Sequence, residues 1–150
     1  MKQKIVVVIT ALFVFGGANA ADPVGPKLTP RLKALLADEM QQVAEATGDL
    51  ALAIAVGDHA TVKRLASAVR NSFILKQSLT EQDKKDLMGA VPAEFVALDR
   101  IFHGLAGKLA GQAELQNTEL QNFYFSRMLE ACASCHAEFA TDRFPGLARK

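Results

Sequence analysis

The stretch TELQNFYFSRMLEACASCHAEF, from Thr118 to Phe139, opens with the capping-box pattern Thr118-Glu119-Leu120-Gln121. It then sets Leu120, Tyr124, Met128, Cys132, Cys135 and Phe139 at steps of three and four. That spacing is one face of an α-helix and fits no strand, whose faces alternate every second residue. The face carries both cysteines of the chain, so the reading of this helix governs the fold and the chemistry together.

Upstream, the same periodicity returns three times. Thr29 followed by Pro30 reads as a helix start, and Leu32, Leu36, Met40, Val43, Leu50 and Ile54 place one apolar stripe along a helix over about 30–56. Gly57-Asp58 breaks it, and a second helix over about 59–77 carries Val62, Leu65, Val69 and Phe73 inward. Thr80-Glu81-Gln82-Asp83 caps a short extra turn of helix. Pro92 then opens a helix running to about 112, with Phe95, Leu98, Phe102, Leu105 and Leu109 on one side. Amphipathic helices of this kind bury their stripes against one another, so the expected fold is all-α: an antiparallel up-down-up-down four-helix bundle.

The first residues read as a secretory leader. Met1-Lys2-Gln3-Lys4 is basic, Ile5 to Phe15 is apolar, and Ala18-Asn19-Ala20 is a small-residue cleavage site. The apolar run is shorter than the roughly 20 residues that span a bilayer, so the expectation is a periplasmic chain with no membrane anchor once residues 1–20 are removed. Taking those residues from 150 leaves 130, one domain over 21–150. The leader carries Lys2 and Lys4 away, which lowers the formal charge of +1 by two units to −1. A surface so close to neutral gives no electrostatic case for nucleic acid.

Two cysteines in an exported chain would ordinarily suggest a disulfide. Cys132 and Cys135 lie one helical turn apart, so a bridge would close only a tiny loop and stabilise little. Cys132-Ala133-Ser134-Cys135-His136 is instead the attachment signature of haem c. Thiols one turn apart on a helix can add to the two vinyl groups of one porphyrin, while the imidazole of His136 ligates the iron. A redox dithiol would favour a βαβ context, and zinc would need a second ligand pair, which the sequence lacks. Haem c is attached outside the cytoplasm, in keeping with a leader.

A leader, four helices, Gly57-Asp58 between the first two and Cys132-Ala133-Ser134-Cys135-His136 in the last resemble the class II cytochromes c, the cytochrome c′ family. The resemblance spans essentially the whole chain after the leader. It implies a haem held inside the bundle, His136 on one face of the iron and a residue of the first helix over the other. Members commonly carry a basic residue four positions after the haem histidine; Ala140 stands there in this chain, and Arg143 is the nearest basic residue downstream.

The sixth iron position decides between functions, because a thioether there suits electron transfer and an apolar residue leaves the site open to gases. Leu36 and Met40 are the inward candidates of the first helix. Met40 precedes Gly57 by about the distance at which the family's ligating methionine precedes its turn glycine. Met40 is therefore the expected ligand, against the alternative that it fills core and that Leu36 faces the iron. Met88 lies in a connecting segment and Met128 beside the proximal side, while His59 reads as solvated and His103 as a boundary residue with a small claim on the iron. Tyr124, Met128 and Phe139 are the expected haem contacts of the last helix, with Phe95, Phe102, Phe123 and Phe125 as further wall. Arg143, Arg149 and Lys150 are basic residues that could neutralise a haem propionate or simply be solvated.

Two functions follow: an electron carrier between periplasmic redox proteins, or a five-coordinate protein that binds nitric oxide or carbon monoxide. A structural bundle with incidental cysteines is the third. No nucleophile, base or acid pair stands at recognisable spacing, so no enzymatic role is expected. A homodimer stays open, although Lys63, Arg64 and Arg70 make the outer face of the second helix polar.

Overall fold

A computed structural model describes residues 22–72 and 75–148. The leader, Phe73, Arg149 and Lys150 lie outside these residues. Helix α1 spans Pro30–Ala55. It starts where Thr29 takes the backbone N–H of Leu32 on its hydroxyl at 3.2 Å, with Pro30 filling the first turn at no cost in hydrogen bonds. Gly57 stops it in the left-handed region, at φ 72°, where a Cβ would be strained. Asp58 then caps α2, His59–Asn71, by accepting the N–H of Thr61 at 3.0 Å.

The second helix is shorter than its apolar pattern predicts. Ser72, at φ 61°, ends it, and a separate single turn, α3, follows over Leu75–Ser78. A periodic stripe does not register one residue that leaves helical φ. The expected short turn after Thr80 is in turn a full helix, α4, Glu81–Ala90, with a complete capping box between Thr80 and Asp83. Arg31 ties it to α1 by donating to Asp83 Oδ2 at 3.1 Å and to the Ser78 carbonyl at 3.1 Å.

Pro92 caps α5, Ala93–Glu114, and Asn117 caps α6, Thr118–Phe139, by taking the N–H of Leu120 at 3.0 Å. The cap is thus Asn117 and not Thr118, and the interior of the first turn of α6 belongs to Gln121, fully buried, while Leu120 is exposed. Among the described residues every regular element is helical, and the helices pack in a manner compatible with a bundle. α2 lies extensively on α5, α5 on α6 and α1 on α2, whereas α1 and α6 meet at only a few positions. No helix among these residues is long and apolar enough to cross a membrane.

The buried core comes in two parts that share no buried residue. One gathers Ala46, Leu50 and Ile54 of α1, Val62, Leu65 and Val69 of α2, Leu109 of α5 and Met128 of α6, with Tyr124 and Phe125 against it. The other gathers Val24, Leu28 and Leu32, Val91 and Phe139, with Leu36, Phe95, Leu98 and Cys135 against it. Each fully buried leucine, Leu32 and Leu50 among them, contributes about 2 kcal/mol to its own part. Along α6 the break between the parts falls between Met128 and Cys135, and along α1 between Leu36 and Ala46.

Candidate functional site

Cys132 sits in that break on α6, between Met128 in one part of the core and Cys135 in the other. Both thiols are free and half-buried. Burial raises the pKa of Cys132, and burial, then the charges of Asp99 and Cys132, push that of Cys135 up to about 11. Both are therefore protonated near neutral pH, unlike the low-pKa attacking thiol of a dithiol oxidoreductase.

His136, the next residue, is half-buried and lies flat on Phe144, with ring centroids 4.2 Å apart and planes 11° from parallel. Burial, then the Arg143 charge, lowers its pKa and holds the imidazole neutral, the form in which it ligates a metal. Among the described residues no three side chains of His, Cys, Asp or Glu are gathered to hold a metal ion by themselves.

The expected contacts of α6 divide between the two parts of the core. Met128 and Tyr124 belong to one; Phe139 belongs to the other, where Phe95 meets it edge-on at 5.5 Å. Phe123 departs from expectation: it is 53 % exposed and packs edge-on against Tyr124 instead of lining an interior wall.

On α1 the structure corrects the placement of Met40. Leu36 is half-buried in the part of the core that includes Cys135, but Met40 is 41 % exposed, and the buried residue of that turn is Glu39. At 100° per residue the face running through Leu32, Val43 and Leu50 is centred near Glu39, which leaves Met40 on its flank. Met40 is bordered by Leu36 and Val43, both less exposed, and lies at the level where the core is broken. Leu129, one turn from Cys132 and two from His136 on the same edge of α6, is also left exposed there, at 44 %.

Comparison with protein-family models, with curated proteins and with solved structures gave no match.

The polar residues inside the bundle are the ones the sequence did not announce. Glu39 accepts the N–H of Leu75 at 3.1 Å, which binds the start of α3 to α1 and offsets the cost of burying a carboxyl. His103 is satisfied by Val69 and Asp99, so its ring nitrogens are already engaged. His59 is not solvated as expected: its Nδ1 faces the side-chain amide of Gln121, whose nitrogen lies at 3.0 Å. A glutamate or glutamine flanking an apolar row reads as surface, and only the phase of the whole row would have turned it inward.

These features fit a haem c. Two thiols one turn apart, with a neutral imidazole beside them, lie on α6 between the two parts of the core, and α6 meets α1 at only a few positions. Leu129, one turn from Cys132 on the same helix, is apolar and exposed.

Proposed function

We propose that the chain is an exported, periplasmic monohaem cytochrome c of the class II kind, an up-down-up-down bundle that transfers electrons between periplasmic proteins. The carrying observation is the pair of free, half-buried thiols one helical turn apart at Cys132 and Cys135, followed by His136, between the two parts of the core. Cys132 and Cys135 would hold the haem through thioether bonds, and His136 would be the proximal ligand. When bound, the haem supplies a one-electron iron couple whose potential depends on its axial ligands and on its exposure. Leu36, Tyr124, Met128 and Phe139 exclude water from the attachment turn. Met40 would be the candidate for the distal thioether.

A second reading has its own support. Leu36 is the α1 residue that packs into the same part of the core as Cys135. With Leu36 over the iron, the site is five-coordinate and open to nitric oxide or carbon monoxide.

The test is covalency. Protein matured in a host that attaches haem c should keep its haem through extraction with acidified organic solvent, and the pyridine haemochrome should report two thioether bonds. The double variant Cys132→Ala, Cys135→Ala should release its haem to the solvent or carry none. Haem that stays unextractable in the double variant, or a wild type that takes up none, overturns the assignment.

A further inference from the structure

We infer that Phe144 is a positioning residue for the proximal imidazole, setting the orientation of the His136 ring and keeping water from it; the inference rests on the haem reading above. After α6 the chain turns back on itself. The N–H groups of Arg143 and Phe144 both reach the carbonyl of Ala140, at 3.0 and 2.9 Å. This turn brings the Phe144 ring face to face with His136, 4.2 Å away and 11° from parallel.

The stack is compatible with ligation, because an imidazole binds a metal through an in-plane lone pair while Phe144 covers the face of the ring. Ligating histidines usually have their ring fixed by a hydrogen bond from the second nitrogen to a carbonyl or carboxylate. Among the described residues His136 makes no such bond, and its ring contact is with Phe144. Orientation of the ring thus falls to an aromatic surface, which adds no electron density to the imidazole as a hydrogen-bond acceptor would. A ligand of ordinary basicity favours the reduced iron relative to a more basic one. Phe144 is 40 % exposed, so its loss removes little core and leaves water in its place.

The experiment uses the matured cytochrome and reads the reduction potential together with the iron–imidazole stretch of the ferrous protein by resonance Raman. Phe144→Ala should lower the potential and move the stretch to higher frequency, as the ring loses its cover and water comes within reach of its unbonded N–H. Phe144→Leu, which keeps apolar bulk but no ring, should shift both in the same direction, and it serves if the Ala variant fails to mature. Phe144→Tyr should restore wild-type values. Leu147→Ala removes an equally exposed apolar side chain from the same tail and should change neither. Wild-type potential and stretch in both Phe144→Ala and Phe144→Leu, with haem covalently in place, overturn the role of Phe144 alone. Equal shifts in Leu147→Ala also overturn it, since the tail would then act as a whole. A wild type without covalent haem overturns the proposed function, and this role with it.

Discussion

Nδ1 of His103 donates a 2.6 Å hydrogen bond to the carbonyl of Val69, in the last turn of α2, while its Nε2 lies 3.4 Å from Asp99. The imidazole therefore joins α5 to the negative end of α2. The hydrogen bond to Asp99 raises its pKa above 6.5, burial opposes the rise, and the Asp99 charge, the Val69 carbonyl and the Glu39 carboxyl add to it.

A group whose pKa is higher folded than unfolded stabilises the fold below the unfolded value and loses that contribution as pH rises through the folded one. The stability of the wild type to thermal unfolding should accordingly fall as pH climbs above 6.5, by about 1 kcal/mol for a cation at a partly buried helix end. His103→Gln should lack this step. An identical pH profile in the variant would show that His103 does not stay protonated in the fold.

Met40→Ala tests the distal thioether. The wild type, if ligated by methionine, should be low-spin with a weak near-infrared charge-transfer band in the ferric form, and should bind carbon monoxide slowly. The variant keeps helix propensity, loses the band and binds carbon monoxide rapidly. Equal, fast uptake by both forms places Leu36 at the iron and makes the gas-binding reading the right one.

Gln121→Leu should destabilise the protein by about 1–3 kcal/mol, the usual cost of leaving buried polar groups without partners. Gln121 is fully buried, and its amide nitrogen donates toward Nδ1 of His59 at 3.0 Å and to the Gln112 carbonyl at 3.4 Å. Leucine keeps the volume but removes the partner of His59 Nδ1, while the Gln112 carbonyl keeps the N–H of Asn117 at 3.0 Å. Chemical denaturation measures the loss; an unchanged midpoint would mean that water reaches the site.

Asp83 carries the acid sensitivity of α4. Its carboxylate accepts from the Thr80 hydroxyl at 2.7 Å and the Thr80 N–H at 2.9 Å, and these bonds, opposed by burial and supported by Arg31, lower its pKa below 3.8. A depressed folded pKa stabilises above the unfolded value and is lost as pH falls through the folded one. Asp83→Asn should leave the acid limb of the stability profile shallower below pH 3.8 while lowering stability at neutral pH. Circular dichroism across an acid titration decides it.

Caps and breakers were the legible part of the fold. Thr29-Pro30, Gly57-Asp58, Thr80 with Asp83, and Pro92 each end or begin an element where their chemistry requires. The stripes were read less accurately. Steps of three and four admit two adjacent faces, and on α1 the rule selected Met40 where the packed face passes through Glu39. The start of α6 shifted in the same way, from Leu120 to Gln121. Hydrophobicity picked the apolar neighbour each time, because a buried amide or carboxyl depends on a partner distant in sequence, and Leu75 and His59 announce nothing of that role. The proposed attachment turn rests on spacing alone, whereas the stack of Phe144 on His136 arises from a tail turn that no periodicity encodes.

The division of the core has a kinetic meaning. Its two ends bury separate sets of side chains and communicate through the backbones of α1, α5 and α6. Amides of the turn from Leu129 to Cys135 should therefore exchange with solvent faster than those at Leu50 or Leu109, through local openings that leave both ends folded. On the proposed haem reading, such openings would expose the two thiols for attachment without unfolding the chain. If haem is attached there as proposed, the same amides should slow to the rate of their neighbours, and the two ends should melt together.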